Sequence, residues 1–143
     1  MLFRSQTATP RAISTDGLVA TFEKKLPFKY TKGQADVNKE IESDMQSSHP
    51  MHRLLQGEVG SGKTVVALRA ALSVIESGGQ AALLAPTEVL AAQHARTFEK
   101  LLGDLALGGT LLGSNSGTQI ALLTGSLSKE NKREVLEIGR AHV

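Results

Sequence analysis

Eight consecutive residues near the middle of the chain carry the densest chemistry. Gly57-Glu58-Val59-Gly60-Ser61-Gly62-Lys63-Thr64 satisfies the spacing G-x-x-x-x-G-K-[ST] in full. Glycines at these positions let the backbone turn tightly and bring its N–H groups against phosphate oxygens with no Cβ in the way. A helix predicted to start here points its N-terminus, roughly half a positive charge, at the same anion. Lys63 adds a full charge that can reach β- and γ-phosphates, and the Thr64 hydroxyl is a hard oxygen ligand suited to Mg²⁺. At a glycine usage of ~7% the pattern arises by chance in roughly one chain per hundred or fewer. With an apolar run before it and an apolar helix after it, the segment is a nucleoside-triphosphate loop. The loop alone leaves its purpose open, because kinases, transporters, switches and motors share it.

A P-loop motor also needs a carboxylate, at the end of a second apolar strand, to hold Mg²⁺ and orient water, and an arginine for the charge on the transferred phosphoryl group. No apolar run here ends in Asp-Glu: Asp44 follows Glu42-Ser43, and Asp104 follows Gly103 in a predicted loop. The chain by itself is therefore expected to bind nucleotide with negligible turnover. His49, His52, His94 and His142 lack any metal-ligand spacing and read as surface or packing residues, not zinc ligands. Arg69 and Arg96 fall on predicted helices and read as solvated. Cysteine is absent, which excludes a disulfide framework and a thiolate metal site.

The elements that must position the loop follow from periodicity. A short helix is predicted over Asp16–Lys25, with Leu18, Val19 and Phe22 on one face, broken by Leu26-Pro27-Phe28. Thr31 is a good N-cap for a helix to about Ser47, where Val37, Ile41 and Met45 form a stripe. Arg53-Leu54-Leu55-Gln56 reads as a strand into the loop, and the helix after it runs to about Ser77. That helix is apolar nearly all round, which predicts packing on a sheet. Ala81-Ala82-Leu83-Leu84-Ala85 and Ile120-Ala121-Leu122-Leu123-Thr124 are unbroken apolar runs, the pattern of parallel strands covered on both faces. Pro86 stops the first of these. Thr87 then caps a helix to about Leu102, with Glu88 in its positive first turn. Residues 103–118 are rich in Gly, Ser, Thr and Asn and read as a flexible surface insertion. A charged helix is predicted over about Lys129–Ile138, and Ala141-His142-Val143 as the start of a fourth strand. Strands alternating with helices imply an α/β domain of three layers around a parallel sheet.

At 143 residues the chain holds one core of useful size. Aromatic residues are 3% with no Trp, so a base-stacking platform is not expected. Residues 1–33 carry six Lys/Arg against two acids, a net of +4, while the rest carries ten against twelve, a net of −2. Residues 1–25 thus read as an irregular basic lead-in with one short helix. A solvated linker is the favoured role for its charge, a DNA-contacting arm the other. Residues 1–15, with Arg4, Arg11, several Ser/Thr and no acid, faintly echo an organelle transit peptide. No apolar stretch approaches the ~20 residues of a bilayer span.

Three further segments carry a family resemblance. Leu26-Pro27-Phe28-Lys29-Tyr30-Thr31-Lys32-Gly33-Gln34 resembles the Q motif of superfamily 2 helicases, and Met51 through Thr64 is similar to the P-loop context of their RecG branch. Ala85-Pro86-Thr87-Glu88-Val89-Leu90-Ala91-Ala92-Gln93-His94 resembles motif Ia, and Leu122-Leu123-Thr124-Gly125-Ser126 a later nucleic-acid motif of the same domain. The resemblance covers about residues 14–102 and 119–143. The near relative is the transcription-repair coupling factor, which usually has Tyr at the position of Ser61 and Thr at that of Glu88. The insertion at about 108–118 departs from the family, whose turn there is shorter. The resemblance implies that 26–143 is the N-terminal part of an incomplete RecA-like motor domain, with the catalytic carboxylate, arginine finger, second motor domain and wedge domain outside this chain. It implies ATP and Mg²⁺ as cofactors, a Gln34 amide that reads the adenine edge, and nucleotide contacts from Gly57, Glu58, Val59, Gly60, Ser61, Gly62, Lys63 and Thr64. Lys63 and Thr64 would be its catalytic residues, with Thr64 on the metal. Pro86, Thr87, Glu88, Thr124, Gly125 and Ser126 would meet the sugar–phosphate backbone of branched or forked DNA. A monomer in the bacterial cytoplasm is the implied setting. Thr87 and Ser126 read as helix caps and backbone contacts together. A nucleotide-binding module without turnover is the alternative; a P-loop phosphotransferase would leave Gln34 and Pro86-Thr87 without a purpose.

Overall fold

The structure, a computed structural model, describes residues 7–106 and 117–140. The middle of the expected insertion and the expected fourth strand at 141–143 lie outside these residues. The chain divides into two compact units, Met1–Ser77 and Gly78–Val143.

The first unit is built from three helices, α1 (Leu18–Lys25), α2 (Lys32–Met45) and α3 (Lys63–Glu76). α2 starts where its sequence can satisfy the first-turn N–H groups: the Thr31 hydroxyl accepts from the Gln34 N–H, and the Gln34 side chain accepts from the Thr31 N–H. This reciprocal capping box stabilises the entry to the helix. α3 packs on both α1 and α2. Among the described residues of this unit, Leu18, Val19 and Phe22 of α1, Ile41 of α2 and Val65, Val66, Leu68 and Leu72 of α3 are the buried apolar side chains. Burial of a side chain such as Phe22 or Leu72 contributes about 1.5–3 kcal/mol.

Arg69 is not solvated. It lies four residues after Val65 and three before Leu72, on the inward stripe of α3, and is 8% exposed. Its Nε donates to Glu23 of α1 at 2.6 Å and an Nη to Glu42 of α2 at 3.3 Å, so one guanidinium ties all three helices. Burial opposes its charge, but the hydrogen bonds and charges of Glu23 and then Glu42 outweigh it and raise its pKa. The nearby Tyr30 hydroxyl is buried without a hydrogen-bond partner, and burial, reinforced by the Glu23 charge, pushes its pKa up to about 12.

The lead-in is irregular over residues 7–17 and is tied to helix ends. The Ala8 N–H donates to Ser48 O and the Arg11 N–H to Met45 O, at the end of α2. The N-cap of α1 is Gly17, which has no side chain to offer. Glu76 of α3 fills that role, accepting from the Ser14 N–H at 2.6 Å and the Val19 N–H at 2.9 Å. In return the Arg11 guanidinium donates to Ser77 O at 3.1 Å, where the dipole of α3 favours a cation.

The second unit contains α4 (Glu88–Leu102), a 3₁₀ turn (Gly103–Ala106) and α5 (Lys129–Arg140). Its buried apolar side chains among the described residues are Leu102 and Leu105. The Thr118 N–H donates to Leu105 O at 2.7 Å, so both flanks of the expected insertion are joined.

The expected parallel sheet is not seen. Among the described residues no segment forms a strand, and 53–56, 81–85 and 120–124 are irregular. Leu54, Leu84 and Leu123 are 83%, 96% and 52% exposed. An apolar run states a preference for burial on both faces, but a parallel strand gains its hydrogen bonds only from neighbours lying beside it. Arg53, at the start of the first expected strand, instead pairs with Glu40 and Asp44 of α2. The hydrogen bond from Arg53 holds the Asp44 carboxyl below its ordinary range. The apolar face of α3 is accordingly met by α1 and α2, not by a sheet.

Candidate nucleotide-binding loop and nucleic-acid interface

The loop before α3 has the backbone its glycines permit. Gly60 and Gly62 have φ of 82° and 80°, in the left-handed region that side chains with a Cβ avoid, and Gly62 is the N-cap of α3. The Ser61 N–H donates to Glu58 O at 3.1 Å, closing the turn. A Cβ on Gly57 would sit 2.6 Å from Ser61 Oγ, and one on Gly62 would collide with the Gln34 amide. Lys63 Nζ donates to Gly57 O and Glu58 O, each at 2.7 Å, which places the ammonium across the loop. Val59 projects fully into solvent at the tip, and Thr64 lies half-buried in the first turn of α3.

These residues fit a triphosphate with Mg²⁺. Gly60 and Gly62 hold the loop in the left-handed region, a helix N-terminus opens on it, and a lysine already rests on loop carbonyls that phosphate oxygens can replace as its acceptors. When bound, such a group supplies the γ-phosphoryl for transfer and a metal that neutralises its charge.

The Gln34 side chain reaches the same loop. Its Nε2 donates to Ser61 O at 2.8 Å while its Oε1 accepts from the Thr31 N–H. The amide is thus engaged with the P-loop and its own helix cap, and offering both atoms to a base requires giving up both bonds.

In the second unit, Thr87 caps α4 by accepting from the Leu90 N–H at 3.2 Å. Glu88 follows, and its Oε1 accepts from the Ser126 N–H at 2.9 Å, joining the two predicted nucleic-acid segments. The Ser126 hydroxyl and N–H first, then the Gly125 N–H and the Lys132 charge, hold the Glu88 carboxyl below its ordinary range. Lys132 Nζ donates to Gly125 O at 2.9 Å, and the Thr124 and Ser126 hydroxyls lie 3.0 Å apart. Pro86, Thr87, Glu88, Gly125 and Ser126 are exposed and Thr124 is half-buried.

The Glu88–Ser126 bond and the Lys132 contact were beyond sequence reasoning, since they join residues 38 and 7 positions apart with no shared periodicity. Arg69 was within reach, because its spacing from Val65 and Leu72 places it on the buried stripe.

Comparison with known proteins shows the family to which the chain is similar. The DEAD/DEAH box helicase model matches residues 31–142. ATP-dependent DNA helicase RecG of Mycobacterium tuberculosis (strain ATCC 25618 / H37Rv) is 47% identical over 131 residues, 92% of this chain and 18% of the relative. RecG of Treponema pallidum (strain Nichols) is 43% identical over 92% of this chain and 18% of its own length. A solved structure of RecG bound to a three-way DNA junction superposes with a TM-score of 0.78 at 37% identity, over 94% of this chain and 17% of that one. The chain therefore spans about a fifth of the length of these curated relatives. Among the described residues no helix is long and apolar enough to cross a membrane. With a helicase model over most of its length and a P-loop formed by the matched residues, the chain belongs to the DEAD/DEAH box helicase family, and its sequence and fold are of the RecG type.

Proposed function

We propose that this chain supplies the ATP·Mg²⁺-binding portion, and one DNA-backbone contact, of a helicase that remodels branched DNA by ATP hydrolysis. The observation that carries the reading is the loop at Gly57–Thr64, with two left-handed glycines and the Lys63 ammonium spanning it at the head of α3. In this reading Lys63 binds the β- and γ-phosphates, the loop backbone from Glu58 to Gly62 surrounds them, and Thr64 ligates Mg²⁺. Gln34 leaves Ser61 O and Thr31 N to read adenine, so base recognition and loop conformation are exchanged one for the other. Thr87, Thr124 and Ser126 meet the DNA backbone through hydroxyls, a contact without sequence preference. The runs 81–85 and 120–124 are the strand-forming segments of a RecA-like parallel sheet, which explains their apolar character. The DNA partner is supported by the relatives' name and by the junction-bound RecG neighbour.

Two measurements on the purified chain test this reading. ATP should outcompete GTP for the site in the presence of Mg²⁺, and Gln34→Ala should narrow the difference; equal binding of ATP and GTP by the intact chain removes the adenine role. Steady-state phosphate release should equal that of Lys63→Ala, because an arginine finger alone is worth ~10³–10⁵ in rate. Turnover near one per second that is lost in Lys63→Ala would overturn the assignment of the catalytic carboxylate to a region outside this chain.

A further inference from the structure

The turn Thr124-Gly125-Ser126 is gripped from two sides by side chains of opposite charge. Glu88, the first residue of α4, accepts from the Ser126 N–H at 2.9 Å, and Lys132, in the first turn of α5, donates a hydrogen bond to Gly125 O at 2.9 Å. The approach is close enough that a Cβ on Gly125 would lie 2.9 Å from Glu88 Oε1, so only glycine admits the carboxylate without a shift. The Ser126 N–H and the Gly125 carbonyl are thereby committed to side chains, and beside them the Thr124 and Ser126 hydroxyls lie 3.0 Å apart. The Ser126 hydroxyl also bonds to Glu88, so its proton is held by the carboxylate; the Thr124 O–H, which then donates to Ser126 Oγ, is the proton that can turn to another acceptor.

We propose that Glu88 and Lys132 are positioning residues that clamp this turn so that the Thr124–Ser126 hydroxyl pair meets one backbone phosphate of DNA. The inference rests on the reading of this turn as a DNA contact and deepens it: Glu88 strengthens DNA binding despite its negative charge. A free surface carboxylate beside a phosphodiester is repulsive. Here Lys132 on the other side of the turn balances that charge, and the carboxylate acts as the acceptor that fixes the Ser126 peptide. Because the Ser126 N–H is taken, the phosphate is received by a hydroxyl proton, with no bond from that amide.

This reverses the sign that electrostatics alone predicts, which makes it testable with the intact chain. The probe is a fluorescein-labelled oligonucleotide duplex, followed by anisotropy at low salt. Glu88→Ala should weaken binding about fivefold, the effect of one lost hydrogen bond, although it removes a negative charge. Glu88→Gln, whose amide oxygen still accepts from the Ser126 N–H, should stay within about twofold of the parent chain, and Glu99→Gln, the same charge change further along α4, should bind equally or slightly more tightly. Equal or tighter binding by Glu88→Ala overturns the clamp. The doubly substituted Thr124→Ala/Ser126→Ala chain separates the two levels. If it weakens while Glu88→Ala does not, the contact stands and the clamp falls. If it binds like the parent, or the parent binds no DNA, the contact itself is refuted and the clamp with it. Amide exchange at Ser126, read by NMR without DNA, gives a second arm: Glu88→Ala should accelerate it about fivefold and Glu88→Gln should not, and unchanged exchange in Glu88→Ala overturns the clamp whatever the DNA result.

Discussion

In the unit Met1–Ser77, Phe22 and Leu72 have no solvent exposure, and eight apolar side chains from three helices close on one another. In the unit Gly78–Val143, Leu102 and Leu105 are the buried apolar pair among the described residues, while Leu84, Val89 and Leu123 are 96%, 77% and 52% exposed. Apolar sequence alone does not separate the two. What separates them is the kind of element the apolar residues are written into. A helix satisfies its own backbone and needs only another helix face, which α1 and α2 give α3. An unbroken apolar run written for a parallel strand can satisfy neither its backbone nor its faces without strands beside it. The Gly57–Thr64 loop belongs to the first kind of region, and the turns proposed to meet DNA belong to the second, where side-chain bonds such as Glu88–Ser126 do the holding.

The contrast can be broken or sharpened by substitution. Phe22→Ala should have the largest effect, about 3–5 kcal/mol. Tyr30 is the sole tyrosine and there is no Trp, so tyrosine emission during urea unfolding reports the first unit alone. A loss below about 1 kcal/mol there would mean that the helical core is not what supports the loop. Arg69→Ala comes next. Full removal of one partner from a buried pair costs about 3–5 kcal/mol; Glu23 and Glu42 keep about a third of their exposure, so about 2 kcal/mol is expected in the same urea experiment. Leu84→Ser, by contrast, should shift the circular-dichroism unfolding curve by no more than about 0.5 kcal/mol and should reduce binding of a hydrophobic dye. A large destabilisation would show that Leu84 has a packing partner.

Tyr30 supplies the smallest effect and a pH dependence. Its folded pKa of about 12 lies above the ordinary value of 10.0, so its contribution to stability is complete below about pH 10 and is lost as the pH rises toward 12. Phenolate absorbance at 295 nm should titrate near 12 in the folded chain and near 10 in urea. Tyr30→Phe removes a buried hydroxyl that has no partner, so it should be neutral or slightly stabilising and should flatten the alkaline loss.

Much of this was legible in the residues. The P-loop spacing, the Thr31 and Thr87 caps and all five helices are local features, and each was readable from a window of a few residues. The capping box itself is written as Thr31-x-x-Gln34, a pattern in which the glutamine closes back on its own cap, and that local competition explains why Gln34 is engaged in the structure. The expected strands are not formed among the described residues for the opposite reason, since a strand's existence depends on residues far away. Arg69 was misjudged because its charge was weighed above its place on the stripe. The clasp of Glu76 on the start of α1, with Arg11 on Ser77, joins residues more than fifty positions apart, and no short-range pattern announces it.

The central claim is that the Gly57–Thr64 loop, held by the helical first unit, is a nucleotide site in this chain as it stands. Calorimetric titration of ATP·Mg²⁺ into the folded parent chain and into folded Lys63→Ala tests it most directly. One-to-one binding that weakens by at least about tenfold in Lys63→Ala, through loss of a charge-assisted contact worth about 1.5–3 kcal/mol, is the result this account predicts. Equal affinity in both proteins, or no binding by the parent, would contradict it.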